Sequence, residues 1–319
     1  MYNLADTSKQ SVLDLINSSN DTKYTLSQMT IALPADSTGS GFDAKLPETN
    51  TVIELTNVED STDKVTIGYH RIDGDTAFGS DPSVPVVLAG KSDSDVIGAV
   101  LTHIRTVWGM PLEAGTYTAV KTGQTVVVTF NGHYVLTNAT TIGLTELTSL
   151  TSVWTNLSTT DHFVQGDTFV GATSADVLLA LINSTNGTSI KITDVSMAKP
   201  SAMGNGTPTD STTVTGVSSA GYGDKVTFGY NRLNIEELSP DGLTLESFAS
   251  YTEFYNTVTP DYMAAKLTQQ WGFPVLASEL RVRNQTNNGD TFTARISIVD
   301  NYVARSAGGV IATSAKTAS

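Results

Sequence analysis

Apolar residues recur at helical spacing in four places along the chain. Val12, Leu13 and Ile16 form one stripe, and Leu178, Leu179 and Ile182 form another. Val100, Ile104 and Trp108 step at four-residue intervals, as do Met263, Leu267 and Trp271. Each stripe carries its own start and stop signals. Thr7-Ser8-Lys9-Gln10 and Thr173-Ser174-Ala175-Asp176 read as capping boxes, in which hydroxyl and N3 side chain satisfy opposite orphan amides. Ser94 or Asp95 is expected to cap the helix through Val100, and Thr259 followed by Pro260 the helix through Met263. Asn17 to Asn20, Asn183 to Gly187, Gly109 before Pro111 and Gly272 before Pro274 mark the ends. Gly187 suits a positive φ better than Asp21 at the matching place.

Between the helices the pattern changes to alternation with period two. Tyr24, Leu26, Met29 and Ile31 predict a strand, matched by Ile190, Ile192, Val195 and Met197. Val65, Ile67 and Tyr69 flank Thr66 and Gly68, as Val226, Phe228 and Tyr230 flank Thr227 and Gly229, which predicts a half-buried strand with close backbone approach at the glycine. Ala35 to Asp43 and Ser201 to Asp210 are polar and Gly-rich and predict loops. Two strands close each set, the last with Val126, Val128 and Phe130, or Ala294, Ile296 and Ile298.

These pairings are an internal repeat. Leu13–Thr22 reappears as Leu179–Thr188, Asp63–Ile72 as Asp224–Leu233, Trp108–Pro111 as Trp271–Pro274, and Thr129–Val135 as Ser297–Val303. The spacing between partners drifts from block to block, so insertions fall in the segments between blocks. The division expected is residues 1–136 for the first module, 137–170 for a Thr/Leu-rich connector, 171–304 for the second module and 305–319 for a mobile tail. Each module reads helix, strands, helix, strands, which predicts an α+β fold with a mostly antiparallel sheet, used twice.

Composition narrows the function. With 319 residues, two cores of ordinary size fit. Eighteen basic against 32 acidic residues, a net charge of −14, argue against a nucleic-acid partner. There is no cysteine, so disulfides and thiol chemistry are excluded. Apolar runs such as Val84–Ala89 are strand-length, so no membrane partner is expected, and the first thirty residues lack the pattern of a signal peptide.

Candidate chemistry is sparse. His70 aligns with Asn231, His133 with Asn301 and His103 with Lys266, while His162 stands in the connector. A histidine that exchanges with asparagine reads as a turn or surface residue, and the histidine spacing fits no zinc motif. The carboxylate clusters at Glu59–Asp63, Asp73-Gly74-Asp75 and Asp93-Ser94-Asp95 read as turns and helix caps, since none completes a calcium loop. Gly90-Lys91-Ser92 lacks the first glycine of a phosphate loop, where Pro85 stands instead, and reads as a strand-to-helix turn. Arg71 and Arg232 hold equivalent places. An oxyanion ligand is one reading, and pairing with a carboxylate or carbonyl inside the module is the favoured one. Trp108 and Trp271 read as core anchors. No catalytic, cofactor or metal residue is assigned.

Leu181–Ser189 and Lys225–Leu233 resemble the short repeated modules of tailed-bacteriophage virion structural proteins, in which a Leu-x-Asn-x-x-Asn-Gly-Thr start is followed by a Gly-Tyr-x-x-Arg strand. The resemblance implies a non-enzymatic virion component, assembled in the host cytoplasm as a homo-oligomer on other virion proteins of capsid or tail, as decoration, collar or tail-associated protein. The alternative is a host-facing carbohydrate-binding module at a tail tip, with Tyr251, Phe254 and Tyr255 as an aromatic platform. A hydrolase is the third class, and it would need paired carboxylates that one module has and the other has lost.

Overall fold

The structure is a computed structural model that describes residues 8–36, 51–159, 163, 169–203 and 206–317. The chain divides into two compact units, residues 1–147 and 148–319. Both are α+β with mostly antiparallel sheets, and they share one topology.

In the first unit, α1 (Ser8–Asn20) leads to β1 (Met29–Ile31) and β2 (Ala35–Asp36), which pair antiparallel with the two ends of one edge of β3 (Thr51–Asn57). The other edge of β3 takes β4 (Lys64–Tyr69), also antiparallel. Two-residue β5 (Ile72–Asp73) and α2 (Gly74–Phe78) lead to β6 (Ser83–Val86) and α3 (Asp93–Thr106). Then follow β7 (Thr118–Thr122), β8 (Thr125–Thr129), β9 (Leu136–Thr137) and β10 (Ala139–Glu146). The second sheet runs β6-β10-β8-β7, antiparallel except that β6 lies parallel to β10, and β9 lies parallel to β5.

The second unit opens with β11 (Thr148–Ser149) and α4 (Leu150–Val153). It then repeats the plan with α5 (Ser174–Asn186), β12 (Val195–Met197), β13 (Ser201–Ala202) and β14 (Asp210–Gly216). A short β15 (Tyr222–Gly223) pairs parallel with β11, and β16 (Lys225–Tyr230) occupies the place of β4. β17 (Leu233–Asn234), α6 (Ile235–Leu238), β18 (Leu243–Thr244), α7 (Tyr251–Thr257) and α8 (Pro260–Trp271) follow. The unit ends with β19 (Leu280–Asn287), β20 (Thr291–Ile298), β21 (Ala304–Arg305) and β22 (Val310–Ala315). Its sheets, β12 and β13 on β14 with β16 opposite, and β18-β22-β20-β19, match those of the first unit strand for strand.

Several expectations are corrected. The last strand of each sheet lies beyond the assigned modules: β10 falls in the supposed connector and β22 in the supposed mobile tail. Both close a sheet, and Ile142 and Ala312 are fully buried, so these segments are core. Only Met29–Ile31 and Val195–Met197 are extended within the first predicted strand pair, because 26–28 form a turn and Ile192–Asp194 a 3-10 turn. β3 and β14, each central to its sheet, stand where no strand was predicted. Ser92, not Ser94 or Asp95, caps α3, with Asp95 completing the capping box as its N3 residue. Thr173 and Thr259 cap as expected, whereas Thr7 lies outside the described residues. Gly187 adopts φ 65°, and Asp21 accepts the same region at φ 52°.

The cores differ between units. In the second, one continuous cluster runs from Leu150 and Trp154 through α5, β16, α8 and β20 to Ala312. In the first there are two: Val12, Leu13, Ile31, Ile53, Leu55, Tyr134 and Val135 under α1, and a separate cluster under α3. Trp154 is fully buried, while Trp108 and Trp271, expected to anchor the cores, are only half-buried. Leucine and threonine dominate around Trp154, and no repeat partner marks it, so the strongest anchor of the second core was hidden in what read as linker.

Candidate functional site

The residues shared by the two copies converge on one polar junction in each unit, where the first turn of the leading helix meets the loop after the second helix and the turn before β9 or β21. Helix N-termini leave amides and hydroxyls that need partners. In the first unit the Ser8 hydroxyl donates to the Glu113 carboxylate at 2.9 Å. In the second, Ser174 donates to Glu279, and Glu279 also accepts from the Asn301 side-chain amide at 2.8 Å.

His133 and Asn301 stand at the centre of these junctions, both fully buried. His133 Nδ1 accepts from the amides of Val135 (3.2 Å) and Leu136 (3.0 Å), which fixes its proton on Nε2, where it donates to the Pro111 carbonyl at 2.7 Å. Asn301 makes the same three bonds with one side-chain amide. Its Oδ1 accepts from Val303 and Ala304, each at 2.8 Å, and its Nδ2 donates to the Pro274 carbonyl at 3.2 Å. Neutral imidazole and carboxamide are thus interchangeable here because each presents one acceptor and one donor at a similar separation. Of the two expected places, a turn or the surface, both residues take the turn, and it is buried. Burial holds His133 below the ordinary histidine pKa, an effect that the hydrogen bond to Pro111 only partly offsets. With Nδ1 lone pair and Nε2 proton both engaged, the ring has nothing to offer a substrate or a metal.

Arg71 and Arg232 frame the same turn. Arg71 donates to the Thr51 hydroxyl at 2.9 Å and to the carbonyls of His133 and Leu136. Arg232 donates to the Asn301 carbonyl at 3.3 Å and to Asp210 Oδ1 at 2.8 Å, while its own amide donates to Asp210 Oδ2. The favoured internal pairing is therefore what both arginines make. Asp210 occupies the place of Thr51 in the strand register, opposite Tyr230 as Thr51 is opposite Tyr69. This is an asymmetry of carboxylates between modules that sequence comparison missed, because the block alignment stopped short of β3 and β14. The Asp210 carboxylate pairs with the Arg232 guanidinium at 2.8 Å. Burial alone would raise the Asp210 pKa, but Arg232, by hydrogen bond and charge, and Arg305 at 3.9 Å outweigh it, so the carboxyl sits below its ordinary value. The Tyr230 hydroxyl and Arg232 Nε are buried in the same corner without a hydrogen-bond partner.

The other predicted positions lie apart. His70 is exposed and His103 meets the edge of the Trp108 ring at 5.2 Å; His162 lies outside the described residues. Asp60 bonds its own turn through Thr62, Asp73 caps α2, and Asp95 completes the cap of α3. Among the described residues no group of three or more His, Asp or Glu side chains is placed to hold a metal ion. No helix of the described residues is long and apolar enough to cross a membrane. Of the proposed aromatic platform, Phe254 is fully buried and Tyr251 half-buried with its hydroxyl on the Gln285 carbonyl, leaving Tyr255 alone exposed.

A family described as "Family of unknown function (DUF7941)" matches residues 1–146 and again 167–304. The chain belongs to the DUF7941 family. Each matched segment holds one copy of the fold, the second short of β22, so the DUF7941 module corresponds to the helix–strands–helix–strands unit, and the segment between the matches contains α4 and Trp154. No curated protein and no solved structure matches the chain.

Proposed function

We propose that this DUF7941 chain is a non-enzymatic structural component of a tailed-phage virion, a homo-oligomer seated on capsid or tail as a decoration, collar or tail-associated protein. The observation that carries the reading is the use made of the residues common to both copies. Ser8 and Ser174, Glu113 and Glu279, His133 and Asn301, and Arg71 and Arg232 direct their polar atoms to helix termini, turns and backbone carbonyls of their own module. A chemical site held in both copies would keep a base or nucleophile available. Here the shared groups are those that fix a turn and a helix start, which is what a twice-used building block needs.

Two similar modules in one chain also suit quasi-equivalent places on a symmetric lattice. The net charge of −14 suits solubility before assembly and docking on a more basic surface. The carbohydrate-binding alternative loses support, since of its three rings Phe254 is buried and only Tyr255 is exposed.

The test is purification of intact phage particles encoding this chain, with mass spectrometry of washed virions and a cryo-EM map. Stoichiometric recovery and density for paired modules at symmetric positions is the expected result. Its absence from particles, or turnover of a substrate by the purified chain that Arg232→Lys abolishes, would overturn the reading.

A further inference from the structure

Asparagine is followed by glycine at four places, Asn131, Asn186, Asn205 and Asn288. In such a pair the glycine amide nitrogen, with no Cβ beside it to hinder approach, can attack the carbonyl carbon of the asparagine side chain. The attack needs a backbone loose enough to bring nitrogen onto Cγ and an amide not committed elsewhere, so the fold decides which pair reacts. At Asn131 the following Gly132 is buried and its amide donates to the Thr116 carbonyl at 3.2 Å, while the Asn131 side chain donates to the Thr118 hydroxyl at 3.3 Å. At Asn186 the end of α5 holds every group. The Gly187 amide donates to the Asn183 carbonyl, Asn186 Oδ1 accepts from the Asn156 amide at 2.8 Å, and Asn186 Nδ2 donates to the carbonyls of Asn156 and Ile182, each at 2.9 Å. Asn205 lies outside the described residues.

Asn288 and Gly289 differ on each count. Both are exposed at the tip of the β19–β20 hairpin, where the Asn288 amide donates to the Thr291 carbonyl at 2.9 Å and leaves Gly289 and Asp290 as a two-residue loop. Gly289 takes φ 86°, which glycine adopts without strain, and nothing lies within 4 Å of where a Cβ would stand. Its amide meets the exposed Asn287 side-chain oxygen at 3.1 Å, and Asn288 Nδ2 reaches the Thr286 hydroxyl only at 3.5 Å, a weak restraint. β19 is moreover the outer strand of its sheet, so the tip is held from one side.

We propose that Asn288 is a self-modification site, converted without an enzyme to aspartate and isoaspartate. The Gly289 nitrogen bonds to Asn288 Cγ, the Cγ–Nδ2 bond breaks, and Nδ2 leaves as ammonia with the proton that the Gly289 amide gives up. Solvent water then opens the cyclic imide. Cleavage between Cγ and nitrogen leaves aspartate, and cleavage between the Asn288 main-chain carbonyl carbon and nitrogen leaves isoaspartate. Either product sets a carboxylate beside Asp290 and takes the net charge from −14 to −15 (−14 − 1). Isoaspartate also inserts Cβ into the main chain between the Asn287–Phe292 pair and the turn, which a two-residue loop absorbs only by giving up the bond from Asn288 to Thr291. The hairpin tip therefore loosens as the protein ages. The inference does not depend on the chain's belonging to a virion.

The test holds the full chain in mildly alkaline buffer at physiological temperature and follows each pair by peptide mass spectrometry, with electron-transfer fragmentation to separate aspartate from isoaspartate. Asn288 is expected to convert at least about tenfold faster than Asn131 or Asn186, because those two react only through local opening of the fold. In urea, where no fold protects them, the three are expected to convert at comparable rates. Conversion of Asn131 or Asn186 in the folded chain as fast as that of Asn288 overturns the proposal. So does an Asn288 that stays intact in the folded chain over the time in which the unfolded chain converts.

Discussion

Replacing His133 by alanine removes the acceptor of two buried amides, those of Val135 and Leu136, and the donor to Pro111. A buried amide left without a partner costs about 1–3 kcal/mol, and the ring, edge-on to Phe130 at 5.5 Å, leaves a void. The first unit is therefore expected to lose about 3–5 kcal/mol in His133→Ala. His133→Asn installs the side chain that Asn301 uses in the other copy and is expected to cost only about 1 kcal/mol. The assay is urea unfolding followed by circular dichroism, with native-state hydrogen exchange of the Val135 and Leu136 amides as the local readout.

The same pair of variants carries a pH signature. Burial depresses the folded-state pKa of His133 below 6.5, so the unfolded chain takes up the proton first as pH falls. Its contribution to stability is thus complete above about pH 6.5 and declines below, by at most about 1.4 kcal/mol per pH unit for a single proton. His133→Asn should flatten that decline. His103, lowered by burial as well, adds a dependence of the same sign in both proteins. An asparagine variant as unstable as the alanine one, an alanine variant within about 1 kcal/mol of the parent, or an unchanged slope between pH 7 and 5 would refute the reasoning.

Three further outcomes are expected. Asp210→Asn leaves Arg232 without its counter-charge in a buried corner and should cost about 3–5 kcal/mol. With the Asp210 pKa depressed, the parent's stability from this pair is present above about pH 4 and lost as pH falls below it, so acid titration of the variant should lack that step. Trp154→Ala should destabilise the second unit by about 3–5 kcal/mol and reduce its near-ultraviolet dichroism, while Trp108→Ala, half-buried, should cost clearly less in the same calorimetric scan. Gly216→Ala would place a methyl 2.8 Å from the Gly223 amide nitrogen, where β15 crosses, and backbone cannot yield as a side-chain tip does. A loss of about 3 kcal/mol or more is expected in denaturant unfolding, and a loss under about 1 kcal/mol would show that β15 shifts freely.

The amino-acid sequence by itself determined that there are two modules, which class of fold they adopt, and where α5 and α8 begin and end. Those features rest on local chemistry: hydroxyl caps at Thr173 and Thr259, left-handed stops at Gly187 and Gly272, and apolar stripes such as Leu178, Leu179 and Ile182. The exchange of His133 for Asn301 was also legible, yet its meaning was not, because a side chain that satisfies three backbone groups is recognised only when those groups are brought around it. Tertiary structure alone decided that β10 and β22 close their sheets, that Trp154 is a core residue, and that Asp210 holds Arg232. Each depends on distant partners: Arg232 lies 22 residues from Asp210, Thr188 lies 34 from the Trp154 that bonds it, and β6 pairs with β10 from 60 residues away (143 − 83 = 60). β14 (Asp210–Gly216) carries a single apolar residue, Val214, and so little periodicity of its own. Its central place is set by the strands that pair along both of its edges, and these are brought together only as the sheet forms.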